Sequence, residues 1–171
     1  FPLTIYPTAG ISYLLSKELL IGASVSRGYS NVSLDDILNS SGEIAMDLKN
    51  ETGWSEEMYL QIGNPAANYF RVGAYNMQID NTIVTVRFPD DSFEKQNLGQ
   101  SLHQGVEASY SFDFLDSKFN LTGSYNLQFN QRSTSGELVY FEGYPKHRSV
   151  HSLQYSILKN WIFDLDYSYR S

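Results

Sequence analysis

Phe119-Asn120-Leu121-Thr122-Gly123-Ser124-Tyr125-Asn126-Leu127-Gln128-Phe129-Asn130 decides the fold of this chain. Odd positions hold Phe, Leu, Gly or Tyr, and even positions hold Asn, Thr, Ser or Gln. Successive side chains of a strand point to opposite faces, so this period of two describes a ribbon with one apolar and one polar side. Upstream, Val106, Ala108, Tyr110, Phe112 and Phe114 interleave with Glu107, Ser109, Ser111 and Asp113. Downstream, Trp161, Phe163, Leu165, Tyr167 and Tyr169 alternate with Asp164, Asp166, Ser168 and Arg170.

The same pattern runs outward to both ends. Ala9, Ile11, Tyr13 and Leu15 lead across Lys17-Glu18 to Leu19, Ile21, Ala23 and Val25, while Met58, Leu60 and Ile62 and then Leu153, Tyr155 and Ile157 mark two further strands. One segment changes phase: Phe70, Val72 and Ala74 give way to Tyr75, Met77, Ile79 and Ile83. Such a flip reads as a bulge or as passage out of the apolar band. Eight strands are predicted, at roughly 9–23 (with a hairpin partner ending near Arg27), 52–63, 69–87, 96–114, 119–132, 149–158 and 161–171.

Connections alternate in length. Short turns fall at Ser16–Glu18, Gly63–Asn68, Leu115–Lys118 and Lys159–Asn160, and long polar links at Gly28–Glu51, Arg87–Lys95 and Ser133–His147. Long strands joined this way have the form of an antiparallel transmembrane β-barrel, whose apolar face meets lipid and whose polar face meets a wet lumen. A soluble β-sandwich also alternates, but its outer face normally carries Lys and Glu in quantity. Here charged residues are 18% of the chain, and the polar face is Ser, Asn, Gln and Thr. Phe112, Phe114, Phe119, Trp161 and Phe163 gather near the short turns, as an interfacial girdle does. In the first long link, Ser33-Leu34-Asp35-Asp36 resembles a capping arrangement for one or two helical turns.

The 171 residues carry 12 Lys+Arg against 19 Asp+Glu, a formal net charge of -7. That balance argues against a nucleic-acid partner, whose phosphates call for a basic footprint. With no cysteine, disulfide scaffolds, CxxC redox sites and thiolate zinc sites are excluded. No apolar run is long enough for a membrane-spanning helix. No GxSxG, HExxH or phosphate loop appears, so no enzyme activity, catalytic residue or cofactor is expected.

Several ordered motifs carry a family resemblance. Ala23-Ser24-Val25-Ser26-Arg27-Gly28-Tyr29-Ser30 ends a strand on a Ser-Arg-Gly-aromatic step, and Leu48-Lys49-Asn50-Glu51-Thr52 closes the next link, with Glu57 six residues after Glu51. Ala74 to Val84 contains Asp80-Asn81-Thr82-Ile83, Asn97 to Glu107 contains Asn97-Leu98-Gly99 and Gly105-Val106-Glu107, and Gly143-Tyr144-Pro145-Lys146-His147-Arg148 enters a later strand. In this order and spacing the chain resembles the C-terminal part of the barrel of TonB-dependent outer-membrane receptors. The one departure noted within these motifs is Asn50, which stands where the family usually has proline.

The resemblance implies an all-β fold, with about eight strands of a barrel of about 22. It implies that 1–171 is a partial barrel domain, with a plug domain and the remaining strands outside it. It further implies location in the bacterial outer membrane and import of a nutrient complex, commonly a ferric siderophore, driven by TonB. Expected partners are thus TonB through other parts of the receptor, the ferric siderophore and outer-membrane lipid. The rival is a self-contained eight-stranded barrel with a structural or adhesion role, which requires the strand at Gly10 to pair with that at Trp161.

Candidate residues follow. Arg27, Tyr29, Phe93, Tyr140 and Tyr144, with Phe88 and Phe141, lie near the long-link end and line either a ligand-capturing mouth or an outer aromatic girdle. Glu57, Glu107 and Asp113 take polar-face positions and are candidates for contact with a plug. No metal site is expected: His147 and His151 stand about 13 Å apart on a strand, too far for one ion. Asp35-Asp36 and Asp90-Asp91 read as solvated loop carboxylates, and His103 as a hydrogen-bonding rim residue.

Overall fold

The computed structural model describes residues 5–33, 47–64, 66–97, 99–133, 138–140, 143–158 and 161–171. Every regular element among them is a strand. These are β1 (Thr8–Leu14), β2 (Leu19–Ser30), β3 (Glu51–Gly63), β4 (Tyr69–Asp80), β5 (Ile83–Arg87) and β6 (Phe93–Asn97), then β7 (Gln100–Phe114), β8 (Phe119–Ser133), β9 (Leu138–Tyr140), β10 (His147–Leu158) and β11 (Trp161–Arg170). Eight of them form one antiparallel sheet in the order β1-β2-β3-β4-β7-β8-β10-β11, with β9 added to β8, while β5 and β6 form a separate ribbon.

β1 and β11 occupy opposite edges of this order and do not pair, so the barrel is not closed. The self-contained eight-stranded reading needs that pairing and is overturned on this point.

Register keeps the two faces separate across the whole sheet. Tyr110, Gly123, His151 and Tyr167 align on the apolar face, and Glu107, Asn126, Arg148 and Arg170 on the polar one. Near the short turns Phe114, Phe119, Tyr155 and Phe163 form one row, with ring centroids 5.6 Å apart for Phe114–Phe119 and 4.2 Å for Phe119–Tyr155. Three of the five expected girdle residues, Phe114, Phe119 and Phe163, share this row with Tyr155, while Phe112 pairs with Leu121 and Trp161 with Leu158. Nothing among the described residues covers the apolar face: Ile11 is 75% exposed and Trp161 70%, and the one buried apolar side chain is Val84. A sandwich would bury that face against a second layer.

The phase flip is not a bulge. Pairing of β3 with β4 runs unbroken from Gly63↔Tyr69 to Thr52↔Asp80. Instead the apolar face turns polar at one level, where Asn76 Nδ2 donates to Glu56 Oε2 (3.2 Å) and Gln104 Nε2 to Asn76 Oδ1 (3.0 Å). This cross-strand ladder interrupts the apolar face at one level, in the row of Val25 and Phe129.

Two expected strands are each divided. The 69–87 segment breaks between β4 and β5 at Asn81, with φ 58°, and the 96–114 segment breaks between β6 and β7 beside Gly99, with φ 87°. The left-handed conformation ends strand geometry, and Asn and Gly tolerate it best. Beyond the breaks β5 and β6 continue as a ribbon whose tip is closed by Phe88 N–H donating to Ser92 O (2.9 Å). The Leu115-Asp116-Ser117 turn is left-handed at all three residues (φ 54°, 52° and 60°). Asp35, Asp36, Phe141 and the Lys159-Asn160 turn lie outside the described residues, so the expected helical cap is outside them too.

Candidate functional site

The polar face holds the side chains that converge. On β4, Arg71 Nη2 donates to Glu57 Oε1 at 2.8 Å, and its guanidinium lies 3.8 Å from the centre of the Tyr59 ring. Glu57 and Tyr59 are alternate residues of β3, so both reach the same face and take the guanidinium between them. About a third of each charged side chain is exposed, so screening holds the ion pair to about 1 kcal/mol or less. Its main effect is positional. Arg71 Nε is shut from solvent with no hydrogen-bond partner among the described residues.

Glycines clear the path for the large polar-face rings. The Tyr59 ring occupies the space where a Cβ on Gly22 would stand, and Tyr75 crosses Gly105 in the same way. Crossing Gly105 lets Tyr75 span β7 and meet Asn126 on β8, whose Nδ2 lies 3.4 Å from the phenol oxygen.

Beside this group lies a cavity of about 710 Å³, lined among others by Arg71, Glu107, Asn126, Tyr144, Arg148 and Arg170. Its long-link side is fixed by Gln128, whose Nε2 donates to Pro145 O (2.8 Å) and whose N–H donates to Lys146 O (2.9 Å). A second hollow of about 370 Å³ lies nearer the long links, where Gly28, Gly53 and Ile79 share one row and Met77 stands one step toward the short turns. The cavity with three guanidiniums suits anions or carboxylates, and the smaller hollow suits an apolar group.

The expected site residues do not form one cluster. Arg27 and Tyr29 share the strand parity of Val25, on the apolar face. Arg27 lies 5.8 Å from the Trp54 ring centre, and Tyr29 stacks on Tyr6 at 4.2 Å and also lines the second hollow. Phe93 opens β6 opposite Arg87, and Tyr140 pairs with Gln131 in β9. Tyr144 alone of the five reaches the arginine cavity, where Glu107 also lies. Asp113 sits apart at the short-turn end, its N–H bonded to Asn68 Oδ1 at 2.5 Å and its carboxylate accepting from Asn120 Nδ2 at 2.7 Å.

Each histidine has a local partner: His103 Nδ1 meets Asn130 Oδ1 at 2.7 Å, His147 meets the Tyr125 phenol at 2.7 Å, and His151 meets that of Tyr110 at 2.8 Å. Among the described residues no three His, Asp or Glu side chains gather as metal ligands do. In the ribbon tip, the Ser92 hydroxyl and then the Ser92 N–H bond to Asp90 and hold its carboxyl below the usual carboxylate range.

Sequence reasoning assigned no role to Arg71, Arg148, Arg170 or Tyr59. A signal was present: basic residues are few, and these three arginines take polar-face positions inside strands, where a solvated loop cation would not be.

The family model for the TonB dependent receptor-like β-barrel matches residues 4–171. Among solved structures, the siderophore receptor PirA from Acinetobacter baumannii superposes with a TM-score of 0.75 at 14% identity, covering 95% of this chain and 28% of that one. The ferric-catecholate import receptor Fiu from E. coli K12, in its closed form, gives a TM-score of 0.63 at 14% identity, with 93% of this chain and 23% of that one covered. This chain therefore spans about a quarter of the length of these structures, and the likeness to them is one of fold. No curated protein matches the sequence.

Proposed function

The chain belongs to the TonB-dependent receptor β-barrel family, and from that premise we propose that it is part of the wall of an outer-membrane importer for a nutrient complex, with a ferric siderophore as cargo. The observation that carries this reading is the division of one sheet into an uncovered apolar face and a polar face that gathers Glu57, Arg71, Glu107, Arg148 and Arg170. A wall between lipid and a filled, wet lumen requires that division.

In this reading 1–171 is a partial barrel domain, and the plug and the remaining strands lie elsewhere in the receptor. Glu57, Glu107 and Asp113 present carboxylates to the plug, with Glu57 already drawn to Arg71. The long links, carrying Phe93, Tyr140 and Tyr144, form part of the ligand-capturing mouth, with Arg27 and Tyr29 on its outer rim. TonB couples inner-membrane energy to plug rearrangement, and no covalent step is needed from the wall.

The test is uptake of a radio-iron-labelled ferric siderophore by cells with and without the complete gene, in backgrounds with and without TonB. Uptake that needs both genes is expected, and loss of the 28–51 link should reduce it. Uptake unchanged when the gene is deleted, or equal without TonB, would overturn the reading.

A further inference from the structure

We propose that the apolar face of β3, β4 and β7 carries a binding site for a glycolipid, an acylated sugar whose hydroxyl and amide N–H groups meet Glu56, Asn76 and Gln104; this rests on the outer-membrane reading above. The three residues stand in one row, and their side-chain hydrogen bonds run one way. Gln104 Nε2 donates to Asn76 Oδ1, and Asn76 Nδ2 donates to Glu56 Oε2. The ladder thus turns donors inward and presents acceptors. Beyond these bonds, neither the Glu56 carboxylate nor Gln104 Oε1 has a hydrogen-bond partner among the described residues. Acceptors set in an apolar face cost free energy until donors reach them.

The surface beside the ladder says what brings those donors. Met58, Ala74 and Val106 lie two residues toward the short turns on the same three strands and form the next row. With Ile21, Leu60 and Val72 they line an open groove of about 440 Å³, in which the small Ala74 leaves a trough between Met58 and Val106. On the other side of the ladder, two residues from Glu56, Trp54 shows an exposed ring on the same face. Groove, acceptors and indole therefore follow one another along β3. An acylated sugar presents alkyl chain, hydroxyl or amide N–H, and sugar ring in that order, and the ring's C–H face suits the indole. A lipid whose one donor is an ammonium group offers nothing to Trp54. β3, β4 and β7 are inner members of the sheet order, so further strands would join beyond β1 or β11 and not over this face. A plug would lie against the opposite, polar face.

The experiment uses the full-length receptor, delipidated in detergent and titrated under native mass spectrometry with a hexa-acylated diglucosamine lipid and, separately, with phosphatidylethanolamine. The wild type should bind the diglucosamine lipid about tenfold more tightly. In the Glu56→Leu/Gln104→Leu variant that affinity should fall by about tenfold or more, with phosphatidylethanolamine little changed. Glu56→Gln keeps the side chain's shape and should lose several-fold, so it reads the same contact if the double variant fails to fold. Three outcomes overturn the proposal: equal diglucosamine-lipid affinity in wild type and variants, equal affinity of the wild type for both lipids, or no binding of the diglucosamine lipid. A wild-type dimer that the double variant abolishes would also overturn it, by assigning the face to a second copy of the chain. TonB-dependent uptake of a ferric siderophore tests the importer reading separately, and loss of lipid binding leaves that reading standing.

Discussion

The side-chain amide of Asn97 closes a ring with the main chain of Lys49: Nδ2 donates to the Lys49 carbonyl at 2.9 Å, and Oδ1 accepts the Lys49 N–H at 2.7 Å. The same Nδ2 donates to the carbonyl of Asn81 at 2.6 Å. Close by, Glu51 Oε1 accepts the N–H of Ile83 at 2.7 Å. Three motifs far apart in sequence, at Lys49–Glu51, Asp80–Ile83 and Asn97–Gly99, thus meet where the wall gives way to the long links.

Asn97→Ala removes three hydrogen bonds and leaves main-chain groups of Lys49 and Asn81 without those partners. The expected cost is about 1–3 kcal/mol, felt locally. Hydrogen exchange at Lys49 should quicken well before the wall strands are affected. Unchanged protection there would show that the amide does not hold the link.

The two glycines beneath tyrosine rings should respond differently to the same added methyl. At Gly22 every near neighbour of a new Cβ is a Tyr59 side-chain atom, the nearest at 2.4 Å, whereas at Gly105 the Leu127 carbonyl oxygen stands at 2.6 Å as well as the Tyr75 ring. Gly22→Ala is therefore expected to be rescued by Tyr59→Ala, and Gly105→Ala not to be rescued by Tyr75→Ala. A double-mutant cycle on folding yield reads this directly, and equal rescue at both sites contradicts it.

Leu121 and its neighbour Thr122 point to opposite faces of the sheet. Leu121→Arg introduces a charge on the apolar face between Phe112 and Leu153, at an expected cost of about 2–4 kcal/mol if that depth is hydrocarbon. Thr122→Arg points to the polar face and should be nearly neutral. Reversible unfolding of the full receptor in lipid vesicles provides the comparison. Equal effects would remove the basis for a lipid-facing side.

Asp90 makes the ribbon tip pH-dependent. Its folded carboxyl is held below the ordinary value by Ser92, so its stabilising contribution is complete above the unfolded value and is lost as pH falls through the lower, folded one. Amides around Phe88 and Ser92 should lose exchange protection as the carboxyl protonates. Asp90→Asn should abolish that dependence, and its persistence in the variant would assign it to another group.

The wall was legible because period-two alternation is dictated by strand geometry: residues such as Leu121 and Thr122 declare their sides locally. The aromatic positions Phe114, Phe119 and Phe163 were legible for the same reason, whereas Tyr155 joins their row only through register. What escaped were features set by neighbouring strands. The breaks at Asn81 and Gly99 look like ordinary strand residues until Asn97 is seen bonding across to Lys49. The pairing of Arg71 with Glu57 and the opposition of Arg148 to Arg170 depend on register, which one sequence does not display. Arg27 and Tyr29 adjoin a long link in sequence, and parity places both on the face of Val25.

Leu115, Asp116 and Ser117 write one turn of the chain in mirror-image backbone, and not one of them is glycine. A chemist assembling the β7–β8 hairpin alone could supply these three positions as right-handed enantiomers, for which the same dihedral angles are the relaxed choice. Such a chimeric hairpin would enter its bend without resistance, offering a ready-made template on which the flanking ribbons could zip together.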